Sequence, residues 1–182
     1  MKKYILSFVV CSLFAFSSFA EETPEKLADN YFKLLGAQKW TEMGDMFDPK
    51  SLAEFREMMS FMSELPEEAS AQVLGQFFGA GTTSEDMKKM SDKDFFSRFL
   101  KGIMGQAAAM GQLNFKKIEV LGSVPEGDDV KHVVTRSHME IGEMSMEAME
   151  VISCRKSDAG WKVLMQGKMK GMAQQLKNAF GK

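Results

Sequence analysis

Few side chains in this chain can attack a substrate, move a proton or hold a metal. Of its 182 residues only 2 are Cys, 2 are His and 2 are Tyr. Glu150 is the foremost candidate, and two turns locate it. Gly142-Glu143 has the glycine-first pattern of a two-residue hairpin loop, and Ser157-Asp158-Ala159-Gly160 reads as the next turn. Used as rulers, these turns set Glu150 opposite Thr135 and Gly167. The same strand face carries Val133, Met139, Ile141, Met144, Met146, Ile152, Cys154, Trp161, Val163 and Met165. A carboxylate on such a face must be protonated, paired or wet, because a lone buried charge is costly. It could act as a general base in a pocket. The favoured reading is a structural Glu held by a Lys or Arg.

The remaining chemistry-bearing residues weigh less. His132 and His138 lie six residues apart on one strand face, about 20 Å, too far to share a metal. His138 faces Glu147 as a surface pair, and His132 faces Ser153. No metal site and no cofactor are expected. Methionine is abundant at 17 residues, with M-x-x-M at 43/46, 59/62, 87/90, 146/149 and 169/172. Soft thioethers suit Cu(I). Yet residues 146 and 149 of a strand point to opposite faces, and the other pairs are scattered, so core packing is the expected role.

These residues must be positioned by helices first and strands second. Thr23 caps a helix opened by Pro24, with Leu27, Tyr31 and Leu34 on one stripe and Gly36 at its end. Trp40, Met43 and Phe47 mark a short second helix. Asp48-Pro49 opens a third, lined by Leu52, Phe55, Met59 and Met62. Pro66 starts a fourth carrying Val73, Phe77 and Phe78. Ser84 is expected to cap one turn through Met90. Ser91 caps a longer helix with Phe96, Leu100, Ile103 and Ala107 along it. Gly102 and Gly105 there would let a neighbouring helix come close. Strands are expected at 113–124, 130–141, 144–156 and 161–167, then a helix over 168–180. The fold class is therefore α+β. N-terminal helices over 23–110 pack on a four-stranded antiparallel meander over 113–167, with a short C-terminal helix. The helices are expected to cover the apolar sheet face.

The composition is globular: 45% hydrophobic, 26% charged, net charge −2. That balance argues against a nucleic-acid partner. Lys2-Lys3, the apolar run Tyr4–Phe16 and Ser18-Phe19-Ala20 read as a secretory signal peptide, residues 1–20, cleaved after Ala20. Residues 21–182 then form a single domain in a bacterial periplasm. Cys11 follows Val9-Val10 and is not a lipidation site. Cys154 is then the single cysteine, expected to be buried and inert. The C-terminal helix carries Lys168, Lys170 and Lys177 and could touch anionic lipid. The acidic stretch 42–68 is expected instead to neutralise it within the fold. A homodimer is compatible with the sequence.

The Pro-capped start (Thr23-Pro24-Glu25, then Tyr31-Phe32 and Leu35), the short helix with Trp40, Leu52-Ala53-Glu54-Phe55, and the ending Asp158-Ala159-Gly160-Trp161-Lys162-Val163 resemble the nuclear transport factor 2-like (SnoaL-like) superfamily. The resemblance covers 23–63 and 113–167. It implies a cone-like fold, in which a curved sheet wraps a long helix and leaves a pocket. The family's isomerases use an Asp base with Tyr or Asp partners, and no such set matches here. The chain departs from the family at 66–110, where added helices either fill or cover the pocket.

The expected function is non-enzymatic binding of a small apolar or amphipathic ligand, with Tyr31, Trp40, Phe55, Thr135, Glu150 and Trp161 lining the pocket. The alternatives are an isomerase- or dehydratase-like enzyme with Glu150 as general base, and a structural or interaction protein of the cell envelope.

Overall fold

Helix starts in this chain are set by side-chain oxygens. The computed structural model describes residues 22–110, 113–165 and 167–180, so the leader 1–20 lies outside the described residues. Helix α1 (Pro24–Gly36) begins where Thr23 accepts the Lys26 N–H. After the short α2 (Trp40–Met46), α3 (Pro49–Met58) begins where Asp48 accepts the Ser51 N–H at 3.0 Å. A 3-10 turn (Ser60–Ser63) leads to α4 (Glu67–Phe78). Thr83, not Ser84, caps α5 (Ser84–Lys89), because Asp86 three residues on returns a bond to the Thr83 N–H. Ser91 accepts from the Asp94 N–H at 3.1 Å and opens α6 (Asp92–Met110).

The sheet is a meander in the order β1-β2-β3-β4, all antiparallel. Its strands are β1 (Leu113–Glu126), β2 (Val130–Ile141), β3 (Met144–Ser157) and β4 (Gly160–Val163). The register read from the two turns is the one observed, from Ile141 against Met144 to Val130 against Arg155, and Cys154 against Val163. Two strand ends differ from expectation by two residues or more. Pro125 and Glu126, expected in a turn, pair with Lys131 and Val130. β1 pairs regularly from Gly122 up to the loop 127–129, after bulges between Phe115 and Lys117 and between Val120 and Gly122, with Gly122 at φ 150°. β4 is shorter than expected. Leu164 still donates to the Ser153 carbonyl at 2.8 Å, but Met165 then turns into the core. Gly167 therefore opens α7 (Gly167–Phe180) instead of facing Glu150.

The core is aromatic and sulfur-rich. Phe55, Phe95, Phe96, Phe99, Met43, Met59, Met62 and Leu74 are fully buried. Phe55 meets Phe96 edge-on at 5.4 Å and Phe99 at 5.2 Å. Gly102 is where α4 crosses α6, since a Cβ there would lie 2.0 Å from the Phe77 carbonyl oxygen. Arg56 ties α3 to α5. It donates to the Met87 carbonyl at 2.7 Å and to the Met90 carbonyl, pairs with Asp92 at 3.3 Å, and lies over the Phe95 ring.

The sheet's apolar face is only half covered, against expectation. Val133, Ile152, Cys154 and Val163 are fully buried, whereas Met144 is 63% and Met146 46% exposed. Length explains this. Helix α1 has 13 residues, about 20 Å. Strand β3 has 14, about 46 Å, so it outruns the helical layer. Among the described residues, no helix is long and apolar enough to cross a membrane.

Candidate functional site

The six residues expected to line one pocket are distributed over several places. Tyr31, Thr135 and Glu150 come together. The Thr135 hydroxyl donates to the Glu150 carbonyl at 3.3 Å. Tyr31 sits edge-on to Phe32 at 5.3 Å and Phe47 at 6.1 Å. Burial foremost, with help from the Glu150 charge, pushes its phenol up to about 12. Glu150 has its cation. The first turn of α7 swings Lys168 Nζ to 2.8 Å from Oε1, which is the structural pairing. Phe55 lies inside the aromatic core, and Trp161 is buried under Lys131 at the sheet edge. Tyr31, Phe55, Thr135, Glu150 and Trp161 line neither the cavities along α6 nor the one beside the start of α3.

Trp40 differs, because it borders two adjoining cavities. The more enclosed one, about 340 Å³, lies between the end of α1, the start of α2, α6 and the start of β1. Leu35, Trp40, Met104, Ala108 and Phe115 give it an apolar wall. The second, about 450 Å³, is lined by Gln38, Trp40, Ser97, Arg98 and Lys101 among others. A third, about 620 Å³, continues along α6 past Phe77, Phe78 and Gly105. Lys101 borders all three.

Local backbone chemistry builds this recess. Gln38 has φ 56°, a left-handed conformation that costs an L-residue about 1 kcal/mol or more. That kink closes the α1–α2 connection and aims Trp40, the first residue of α2, at α6. Gly105 has nothing within 4 Å of where its Cβ would be, so it opens the wall of the recess.

The polar groups of the recess are incompletely partnered. Among the described residues, neither Arg98 nor Lys101 has a carboxylate within ion-pair distance. The Ser97 hydroxyl is buried without a hydrogen-bond partner. Glu42 and Asp94 line the second cavity as well, and Arg98 also acts on Asp86 at longer range. An apolar wall with Lys101, Arg98 and a spare hydroxyl can hold an amphipathic anion. Lys101, Arg98, Ser97, Gln38, Met104 and Phe115 were not singled out by sequence. The available signal was the Gly102/Gly105 pair, which marks α6 as thin where neighbours approach.

Cys154 and His138 sit in structural surroundings. Cys154 is buried, and burial, then the Glu25 charge, pushes its thiol up to about 12. On the outer sheet face, His138 lies 3.5 Å from Glu147, its expected partner, and 3.6 Å from Glu119. Among the described residues, no group of three or more His, Cys, Asp or Glu is placed to hold a metal.

No protein-family model and no curated protein matches the chain. A crystal structure from Campylobacter jejuni, described as a candidate NTF2-like transpeptidase, is similar at 17% identity and a TM-score of 0.43. The match covers 79% of this chain and 99% of that one. The chain thus has a weak structural resemblance to an NTF2-like protein.

Proposed function

We propose that this protein is an exported, periplasmic binding protein for a small amphipathic anion, such as a medium-chain carboxylate. The ligand lies in the recess along α6. Its tail packs on Trp40, Met104 and Phe115, and its head group meets Lys101 and Arg98. The observation that supports this most directly is the shared lining, since Trp40 and an unpaired Lys101 border the same enclosed cavity of about 340 Å³. That volume is in the range of ligand sites. Export rests on residues 1–20, whose charged, apolar and small-residue segments are those of a cleaved leader. A general-base role for Glu150 has less support, because Lys168 already holds that carboxylate.

Titration of dodecanoate into Trp161→Phe protein, followed by Trp40 emission, tests the reading. Saturable binding is expected, with Lys101→Gln weakening it about tenfold, the loss of one charge-assisted contact. Absence of saturation up to about 1 mM, a bound of about −4 kcal/mol, would sink it. So would an affinity, measured by calorimetry, that is unchanged by both Trp40→Ala and Lys101→Gln.

A further inference from the structure

A second recess, about 510 Å³ and polar, lies across the sheet edge where β1, β2 and β3 meet the start of α3 and α7. Three of its lining residues form a linear relay. Glu126 Oε2 lies 2.6 Å from His132 Nε2, and His132 Nδ1 lies 2.9 Å from the Ser153 hydroxyl. Strand register builds this arrangement. His132 and Ser153 are direct cross-strand partners on β2 and β3, so they share a face. Glu126 is reached because it is the last paired residue of β1, opposite Val130 and two residues along from Val124, which pairs with His132. With the Nε2 proton donated to Glu126, Nδ1 is left as an acceptor for the Ser153 hydroxyl. Arg155 stands two residues along β3 on the same face as Ser153 and lines the same recess. Among the described residues, it has no carboxylate within ion-pair distance.

We propose that Ser153, His132 and Glu126 form a nucleophilic site for acyl transfer that hydrolyses small polar carboxylic esters. This site is separate from the recess along α6 and does not depend on it. Ser153 Oγ attacks the ester carbonyl carbon while its proton passes to His132 Nδ1. Glu126 holds the ring and stabilises the imidazolium. The developing oxyanion meets the Arg155 guanidinium. The bond to the leaving oxygen breaks, and that oxygen takes the proton from Nδ1 and departs as an alcohol. Water then attacks the acyl-Ser153 carbonyl, giving its proton to Nδ1. The Ser153 ester bond breaks, Oγ regains a proton, and a carboxylic acid leaves. The sum is ester plus water to acid plus alcohol. The polar lining, with Lys50, Arg155 and Lys170 among Asp48, Glu54 and Asp129, suits a small polar acyl group rather than a long chain.

Full-length protein treated with an alkyl fluorophosphonate and mapped by peptide mass spectrometry gives the test, with p-nitrophenyl acetate hydrolysis alongside. Phosphonylation of Ser153 is expected, at least tenfold slower in Glu126→Gln and in His132→Gln. Hydrolysis above the buffer rate should vanish in Ser153→Ala. Glu126 is largely exposed, so its variant reports on the relay with the fold intact, as an unchanged urea midpoint would verify. An unmodified Ser153 overturns the proposal. So does labelling as fast in His132→Gln as in the parent, or hydrolysis that survives Ser153→Ala.

Discussion

The two ends of the β2–β3 ribbon share one alternation and meet opposite environments. At one end Val133, Ile152 and Cys154 are sealed under α1 and flanked by β4. At the other, Met144 and Met146 stand in solvent on the same face. Side-chain pattern therefore decides which face is apolar. The length of the covering layer decides how much of it is buried. A four-residue β4 and a 13-residue α1 stop well short of the hairpin at Gly142.

Charge insertion breaks the comparison most sharply. Ile152→Asp should cost more than about 4 kcal/mol, because the carboxylate would be buried without a partner. Met146→Asp on the same face should cost less than about 1 kcal/mol. Urea midpoints of the two variants measure the contrast.

Alkali acts on the sealed end next. The Cys154 thiol is pushed from 9.0 up to about 12, and the Tyr31 phenol from 10.0 up to about 12. Above pH 9 the unfolded chain loses protons that the folded chain keeps. Stability is therefore intact below pH 9 and falls as pH rises to 12, by at most about 4 kcal/mol for the thiol. Cys154→Ala should flatten that slope in urea titrations at stepped pH.

The helical layer offers the same contrast on a smaller scale. Gly102→Ala drives a Cβ into the Phe77 carbonyl and should cost about 1–3 kcal/mol. Gly105→Ala meets nothing and should gain up to about 1 kcal/mol of helix propensity. Thermal midpoints separate them.

The smallest effect is on methionine oxidation. Mild peroxide should convert Met144, Met146 and Met149 to sulfoxides before the buried Met43, Met59 and Met62, shifting stability by under about 0.5 kcal/mol. Peptide mapping over time reads the order.

Much of the fold was legible because local chemistry and global packing agree. Thr23, Asp48 and Ser91 each cap where their hydroxyl or carboxylate meets a free N–H. Gly142 fixes a register that every later pair obeys. What sequence did not reveal depends on distances between elements. Glu150 was identified as an oddity, but its partner Lys168 depended on where β4 stops. Trp40 was identified, but not Lys101, because their approach depends on the Gln38 kink and the α2–α6 crossing. His132 and Ser153 were paired correctly. Glu126 reads as a turn residue because it sits between Pro125 and Gly127, yet it is the last paired residue of β1.

Those bulges have a further consequence. β1 is an outer strand of 14 residues, and an exposed strand of that length is a template on which another chain can add. Two register breaks, the adjacent Lys116 and Lys117, and Pro125 with no N–H to give interrupt that template along its length. These irregularities thus work against edge-to-edge joining of copies at high concentration.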